Sequence, residues 1–518
     1  MENLEITNVF KFFEDNPKLT QDQWLVLGKG PSLDRVNKYN LTKYKIITLN
    51  DSITVCKDVI LGHFIDLDAF ERCSGEIALR KDIYIVMPWY PHVNSRPGTK
   101  KLIDLIETNS ILKDLAKEKR LLWYDLMTSE HRTGEFPTIK AVYFSAEAVF
   151  DILRKVGIKY IKSIGIDGGV GYSNFFNDIE KDSHLLNKQE SFDNQFSKLA
   201  DIIFKSGITH TQLHDDSAIK VYIGCTVREL LPAKVLKYSI EKHSHVSVDI
   251  KFLFESDIVI PKVTRKENRA RTPFSFQRFL IPEISNYLGK AIYLDADMLV
   301  FKNIIDIWNN DFNDSNVLLC KDKNQRKPQL SVMMLDCSSL KWNIEYIVSQ
   351  LNNNELTYNQ LMHDFAIADY DMKIDESWNS VDKYNHETSL LHYTDMTKQP
   401  WLSSANHLGY KWMEVLFDAI DNNSISLDFI HREIDKGHIR PSLLYQINNR
   451  ISNSLLLTKS ILRLDKNFKP ILENSKNINP WKSLPRWFLS KVIDKYYNSF
   501  LYKIKIRAEK LFKDAYKD

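Results

Sequence analysis

The strongest constraint on this chain is a pair of carboxylates, one residue apart, at the end of an apolar strand-like run. Residues 291–294 read Ala-Ile-Tyr-Leu, and Asp295 and Asp297 follow directly. Side chains at positions i and i+2 of an extended chain point to the same side, so both carboxylates can face one pocket. Two like charges held this close repel each other, and a bound divalent cation relieves the repulsion. The pattern predicts a metal site that also suits a diphosphate, although acidic pairs at this spacing are common on protein surfaces.

Length and composition indicate a multidomain protein of ordinary globular type. The chain has 518 residues, of which 43% are hydrophobic and 26% are charged, so we expect two or three domains. Its five cysteines show no C-x-x-C spacing, which argues against a disulfide framework or a structural zinc site. No apolar run reaches the roughly 18 residues that span a bilayer. We expect a cytoplasmic protein that is at most peripheral to a membrane.

Strand-like and helical stretches alternate through most of the chain, which predicts an α/β fold with largely parallel sheets. We predict two Rossmann-like or GT-A-type α/β domains in tandem, at 1–215 and 216–435, followed by a helical basic region at 436–518. The polar stretch 209–217 is the predicted boundary between the two domains. Predicted strands lie at 24–27, 46–49, 82–87, 121–123, 160–166, 219–223, 248–254, 291–294, 316–319 and 330–335, and predicted helices at 144–156 and 193–206.

Three further residues in the second half fit a site around the two carboxylates. Arg278 stands in a segment that opens a predicted helix, and its guanidinium could fork onto a diphosphate. The imidazole of His392 could complete a manganese site, and Lys398 could neutralise a leaving diphosphate. Two of the three also have an ordinary interpretation, since Arg278 could form a surface ion pair and His392 could be a structural histidine.

Taken together, these motifs resemble family 8 of the glycosyltransferases over about residues 220–401. The resemblance implies that Asp295, Asp297 and His392 bind Mn²⁺ or Mg²⁺. It also implies that Arg278, Lys398 and Asp295 contact the diphosphate of a UDP-sugar, and that the enzyme retains anomeric configuration.

The same resemblance identifies Gln360 as the residue nearest the reacting carbon. Family members often carry acidic residues beside this glutamine, where this chain has Asn359 and Leu361, so the donor sugar stays open. The segment 375–380 is a candidate sugar-pocket loop, with a turn around a buried Trp378 as the alternative.

A second candidate site lies in the first half, where several predicted strands end in polar residues. Gly28 and Gly30 flank a strand-to-helix turn, Asn50 follows the next strand, and Asp167 follows a later one. Ligands collect at the carboxyl ends of parallel strands, and a glycine turn before a helix suits a phosphate. A simple tight turn is the alternative interpretation. The acidic segment 64–68 is expected to line the same cleft.

This arrangement resembles the family 42 sialyltransferases and the related motility-associated factor proteins over about residues 23–208. The resemblance implies a CMP-activated acidic sugar, inversion of configuration, no metal, and His184 as the base that deprotonates the acceptor. Lys29 and the pair Gly168-Gly169 depart from the family pattern, and a domain that has lost catalysis is the alternative. The residues implied at the CMP-sugar are Gly28, Gly30, Ser32, Asn50, Asp167 and Tyr172.

The segment 481–518 combines ten Lys or Arg with four acidic residues and nine aromatic ones. Such a composition favours the surface of an anionic membrane. A helix packed on the protein body is an alternative, and no recognised nucleic-acid motif accompanies the segment, so we expect no nucleic-acid partner.

The sequence therefore predicts a bifunctional glycosyltransferase of bacterial surface polysaccharide synthesis, such as capsule, lipopolysaccharide or O-antigen. Its acceptor would be a glycan or lipid-linked glycan at the cytoplasmic face of the inner membrane. One alternative is a single family 8-like activity with a non-catalytic N-terminal module that binds acceptor. Another is a nucleotide-sugar hydrolase or phosphotransferase.

Overall fold

The computed structural model describes residues 6–129, 131–178, 185, 187–213, 218–321 and 328–469. The predicted α/β class is confirmed, because a large parallel sheet is followed by a mixed sheet with helices around both. The predicted membrane-binding segment 481–518 lies outside the described residues. Within the described part of the chain, no helix is both long and apolar enough to cross a membrane.

The first sheet has eight described strands, all parallel, in the order β1-β6-β5-β4-β3-β2-β7-β8. Its strands are β1 (Thr7–Asn8), β2 (Trp24–Leu27), β3 (Lys45–Leu49), β4 (Val59–His63), β5 (Tyr84–Pro88), β6 (Leu121–Tyr124), β7 (Tyr160–Ile164) and β8 (Thr209–Gln212). The helices around it are α1 (Val9–Asp15), α2 (Leu67–Leu79), α3 (Leu102–Ile106), α4 (Ser110–Lys117), α5 (Ser145–Lys155) and α6 (Asn194–Ser206). Apolar clusters cover both faces of the sheet, which is why its central strands read as continuous apolar runs.

The second unit has a six-stranded mixed sheet in the order β10-β9-β11-β14-β13-β15 and a small sheet β12-β17-β16. The strands are β9 (Ile219–Gly224), β10 (Val248–Phe252), β11 (Lys290–Asp295), β12 (Met298–Val300), β13 (Val317–Cys320), β14 (Val332–Asp336), β15 (Tyr370–Ile374), β16 (Ser380–Val381) and β17 (Leu390–His392). Strand β14 runs antiparallel to both of its neighbours. The described helices are α7 (Leu230–His243), α8 (Ile281–Ile284), α9 (Ile305–Trp308), α10 (Ile344–Asn353), α11 (Tyr358–Met362), α12 (Gly409–Asp421), α13 (Leu427–Asp435), α14 (Ser442–Asn448) and α15 (Lys459–Leu462).

Three features of the fold differ from the sequence-based expectations. Strand β8 occupies part of the stretch 209–217 that was expected to be a polar linker, because a parallel edge strand needs few apolar residues. The strands β1, β4, β12, β15, β16 and β17 were not predicted. The segment around Arg278 forms a 3₁₀ turn, Gln277–Leu280, before the four-residue helix α8, where a longer helix was expected.

The direction of strand addition reverses between β2 and β7 in the first sheet. The chain adds strands on one side of β2 as far as β6, with β1 beyond it, and then places β7 on the other side. Gly28 and Gly165 directly follow β2 and β7, and Gly30 N–H donates to Gly165 C=O at 2.8 Å. A Cβ added at Gly28 would lie 2.1 Å from the Gly165 oxygen. Glycine is therefore required here by the close approach of two backbones at a crevice where α/β sheets bind ligands.

A buried joint links the two units. The ring of Phe196 on α6 stacks on His245 with 4.1 Å between centroids, and Phe204 meets Tyr238 of α7 edge to face. Ser247 N–H donates to the His210 carbonyl at 2.6 Å. Burial lowers the pKa of His210 to about 4, so the joint contains a neutral imidazole at physiological pH.

The backbone crossing yields a stability prediction with a built-in control. Gly165 has φ of +75°, and a Cβ there would lie 2.5 Å from the Gly28 oxygen, whereas Gly169 has φ of +72° with nothing within 4 Å of an added Cβ. We expect Gly165→Ala to lower the free energy of unfolding by clearly more than Gly169→Ala, which introduces only the backbone strain of about 1–3 kcal/mol. Urea unfolding of both variants, followed by circular dichroism, measures the difference. Equal losses would contradict a steric role for the crossing.

Candidate functional site

Two strands bring the predicted metal ligands together. Strand β11 ends at Asp295, and Asp297 stands in the turn before β12. Strand β12 pairs antiparallel with β17, so that Met298 lies opposite His392, and Tyr393 N–H donates to the Asp297 carbonyl at 2.9 Å. A histidine from a distant part of the chain is thereby held beside the two carboxylates.

Asp295, Asp297 and His392 form a compact cluster with one ligand atom from each residue within 4.8 Å of the others. His392 Nε2 lies 3.2 Å from Asp297 Oδ1, while its Nδ1 lies 3.0 Å from the amide oxygen of Asn379. With Nδ1–H donating to Asn379, Nε2 is the nitrogen that faces the carboxylates. A metal-ligating histidine is usually oriented in this way by a second hydrogen bond.

The hydrogen bonding of Asp297 fits a cation at this point. Gln399 Nε2 donates to Oδ2 at 2.9 Å. The other oxygen, Oδ1, is buried and has no hydrogen-bond partner among the described residues apart from its contact with His392. Two carboxylates and one imidazole are a donor set that Mn²⁺ and Mg²⁺ accept, with the imidazole favouring the transition metal. The residues present therefore fit a divalent cation.

Charge around the cluster also favours a cation. Burial lowers the pKa of His392, but Asp297 and Asp295 raise it more, so that it lies above its usual value. Burial raises the pKa of Asp295; Arg278 opposes this shift, and repulsion from Asp297 adds to it, so the net direction is upward. Positive charge is thus attracted to the point between the two carboxylates.

Arg278 is buried and positions Asp295. Its Nη2 lies 3.1 Å from Asp295 Oδ1, its Nε donates to the Ser275 carbonyl at 2.9 Å, and it also donates to the Leu330 carbonyl. The guanidinium carbon lies 4.5 Å from the centre of the Tyr293 ring, and the Tyr293 hydroxyl donates to Asp295. The sequence-based interpretation as a surface ion pair does not hold, since the side chain is buried at the centre of the site.

Three residues that the sequence analysis did not assign also support the cluster. Tyr293 holds Asp295, Asn379 orients His392, and Gln399 anchors Asp297. Gln399 follows Lys398 directly. Tyr293 lies two positions before Asp295 and therefore on the same face of β11, and this spacing is the sequence signal that could have revealed Tyr293. Trp378 is buried, so the segment 375–380 is both a turn around this tryptophan and the source of Asn379.

Two other predicted residues make local contacts instead. Lys398 is exposed, and its Nζ lies 2.9 Å from Asp395. The Gln360 side chain is also exposed, and its Oε1 accepts from the Thr357 N–H and hydroxyl, each at 2.9 Å, at the start of α11. Among the described contacts, no hydrogen bond joins either side chain to the carboxylate cluster, and their roles at the donor stay predictions.

The first unit contains a cavity of about 380 Å³ at the carboxyl ends of its strands. As predicted, Asp66 and Asp68 of the acidic segment line it. His184, the predicted base, lies outside the described residues. The implied ligand-binding residues Gly28, Gly30, Asn50, Asp167 and Tyr172 all line the cavity.

Ser32 has a structural role beside this cavity. Its N–H donates to Asp167 Oδ2 at 2.7 Å, and its hydroxyl accepts from Gly165 N–H at 2.8 Å. The carboxylate of Asp167 thus lies at the start of the 3₁₀ helix Pro31–Lys38, where the glycine turn was expected to hold a phosphate.

An ion cluster of Lys29, Arg72 and Asp51 lies at the cavity, and its two cations are among the lining residues. Lys29 Nζ lies 3.0 Å from Asp51 Oδ2, and Arg72 binds both oxygens of Asp51 at 3.1 and 3.2 Å. Lys29 also lies over the Tyr172 ring, 4.4 Å from its centre. Burial raises the pKa of Asp51, but the two cations lower it by more. The net pKa lies below its usual value, so the carboxyl stays ionised. Sequence analysis missed Asp51 and Arg72, since neither forms part of a motif.

Comparison with known proteins supports the assignment of the second unit. Residues 190–362 match the family described as "Glycosyl transferase family 8", so this part of the chain is a glycosyltransferase family 8 domain. The match begins before α6 of the first unit and ends before His392. It covers both carboxylates and Arg278.

The individual proteins that resemble this chain have low sequence identity to it. "Protein CDI" of Arabidopsis thaliana is 29% identical over 118 residues, which are 22% of this chain and 45% of that protein. The glycosyltransferase GlyE of Streptococcus pneumoniae TIGR4 is 16% identical, with 38% of this chain and 60% of that chain covered and a TM-score of 0.28. The galactosyltransferase LgtC, in complex with donor and acceptor sugar analogs, is 12% identical, with 41% and 100% covered and a TM-score of 0.30. The chain spans less than half the length of its curated relative and three fifths of GlyE.

Removal of one carboxylate should abolish tight metal binding. We expect Asp297→Asn to weaken Mn²⁺ binding by at least about 100-fold, because the cluster loses a charged ligand. Titration of the full chain with Mn²⁺, followed by electron paramagnetic resonance, measures free metal directly. Asp428→Asn, at an exposed carboxylate of α13, is the matched control and should bind Mn²⁺ as the unmodified protein does. Equal affinity of both variants would exclude the cluster as a metal site.

The hydrogen bond to His392 yields a separate prediction. Asn379→Ala leaves all three ligands in place but removes the acceptor that orients the imidazole. We expect Mn²⁺ affinity to fall by about 10–100-fold, the range for residues that support a metal ligand. The same titration measures it, and an unchanged affinity would show that His392 is held without Asn379.

Proposed function

We propose that the family 8 domain transfers a hexose from a UDP-sugar to a glycan acceptor and retains the anomeric configuration. The observation that carries this proposal is the cluster of Asp295, Asp297 and His392, because two of its members lie inside the family 8 match and the third is paired to them by β12 and β17. A bound Mn²⁺ or Mg²⁺ would neutralise the diphosphate and stabilise it as the leaving group.

The residues around the cluster have distinct roles in this proposal. Arg278 and Tyr293 fix Asp295, Gln399 fixes Asp297, and Asn379 fixes His392, so the ligand set is preorganised and little rearrangement accompanies metal binding. Lys398 stands on the segment that carries Gln399, and its exposed ammonium is proposed to reach the diphosphate. Gln360 is proposed to approach the reacting carbon.

For the first unit, we favour an acceptor-binding module over a second transferase. The cavity lies at the point where strand order reverses, which supports a ligand site. Asp167 occupies the start of the 3₁₀ helix, where a CMP phosphate was expected. The two cations of the cavity, Lys29 and Arg72, both contact Asp51. A CMP-sugar transferase with His184 as base is the second candidate. The proposed setting is bacterial surface polysaccharide synthesis, with the segment 481–518 on an anionic membrane.

Transfer and hydrolysis are distinguished by a single assay. The purified full chain is incubated with UDP-glucose or UDP-galactose, Mn²⁺ and a series of oligosaccharide acceptors, and products are separated by mass. We expect a hexose to be added to an acceptor, with a loss of at least about 100-fold in kcat for Asp297→Asn and none for Asp428→Asn, at an exposed carboxylate of α13. Proton NMR of the new linkage reports retention. Release of free hexose without acceptor extension would identify a hydrolase instead.

A further inference from the structure

We propose that the cavity of the first unit binds an uncharged sugar unit of a glycan, and that it is not an anionic nucleotide site. The inference rests on the proposed glycosyltransferase function and specifies which ligand chemistry the first unit takes. Three features of the cavity support it: its charge, its hydrogen-bonding groups and its aromatic wall.

Charge at the cavity opposes an anion. Among its described lining residues, three carboxylates face two cations, and both cations contact the further carboxylate of Asp51. His92 also lines the cavity, but burial lowers its pKa to about 4, so it adds no charge at neutral pH. A nucleotide phosphate would therefore meet net negative charge in a partly buried site, where repulsion is strong. The three lining carboxylates are Asp66, Asp68 and Asp167.

The hydrogen-bonding groups suit hydroxyls. Asp66 accepts from Ser95 N–H at 3.0 Å, and Asp68 accepts from Asn94 N–H at 2.6 Å. Each of these bonds uses one oxygen of a carboxylate whose second oxygen can accept from a ligand. The amide oxygen of Asn50 is buried and has no hydrogen-bond partner among the described residues. A ligand with several adjacent hydroxyl donors would satisfy these acceptors, whereas a phosphate offers none.

One wall of the cavity is aromatic. The ring of Phe192 lies 5.1 Å from that of Phe144 and 5.5 Å from that of Tyr172, measured between centroids, and all three residues line the cavity. Aromatic faces bury the apolar C–H face of a pyranose ring. The volume of about 380 Å³ lies within the range of small-molecule sites. A nucleobase could stack on the same rings, and the charge of the cavity decides against its phosphate.

Saturation-transfer-difference NMR on the full chain tests the proposal. The probes are the methyl glycosides of glucose, galactose and N-acetylglucosamine, with CMP as the anionic competitor. The cavity variants are Asp68→Ala and Phe192→Leu. Asp68→Ala also removes the hydrogen bond to Asn94 N–H, whereas Phe192→Leu leaves that hydrogen bond in place. Asp114→Ala, at an exposed acid on α4, is the matched control, and Asp297→Asn reports on the family 8 site.

We expect at least one glycoside to receive saturation, and its Kd to rise about tenfold or more in both cavity variants. It should be unchanged in Asp114→Ala and in Asp297→Asn. Saturation of CMP that disappears in Phe192→Leu and strengthens in Asp68→Ala would overturn the proposal, and so would the absence of any glycoside signal. Loss of UDP-hexose turnover in the metal-site variant is scored separately, so failure of the sugar cavity and failure of the proposed transferase are distinguishable.

Discussion

The pairing of β12 with β17 is the contact that brings the Asp295, Asp297 and His392 cluster of the second unit together. It is only three residues long on each strand, yet it brings a histidine from near the end of the domain to the two carboxylates that follow β11. Buried like charges at the end of a strand are unfavourable without a partner. The fold therefore positions positive or neutral donors around them: Arg278 and Tyr293 at Asp295, and His392 and Gln399 at Asp297. Each carboxylate has its own set, so the two are fixed independently.

Much of this arrangement was accessible from the sequence because the residues that carry charge stand in short, local patterns. Asp295 and Asp297 share a strand end, and the motifs that contain Arg278 and His392 stand before and after them in the order that family 8 shows. The sequence did not reveal the uncharged side chains that hold the metal ligands in place. Asn379 and Gln399 act through hydrogen bonds to His392 and Asp297, which lie 13 and 102 positions away along the chain, and such contacts leave no periodicity to detect. The edge strand β8 was missed for a related reason, since its pairing with β7 and not its hydrophobicity makes it a strand.

The first unit shows how one pattern can have two physical causes. A G-x-G turn after a strand predicted a phosphate site. The structure explains Gly28 by the close approach of the Gly165 backbone, and Gly30 by the side chain of Asp167, which would lie 2.5 Å from an added Cβ. The turn still lies beside a cavity, because the reversal of strand order creates both the crossing and the crevice. Motif and site therefore coincide in position while the glycines serve packing. The ligand must be inferred from the side chains around the cavity, and these are acidic, amide-bearing and aromatic.

The buried joint between the units carries one more implication. His245 stacked on Phe196, and Ser247 bonded to His210, leave little freedom for one unit to swing against the other. If the cavity and the metal centre hold two parts of the same glycan, the separation between them is set by the protein and not by the substrate. Such an enzyme would select acceptors by length, because only a glycan long enough to reach from one unit to the other would bind both sites at once. The joint would then determine the minimum length of acceptor.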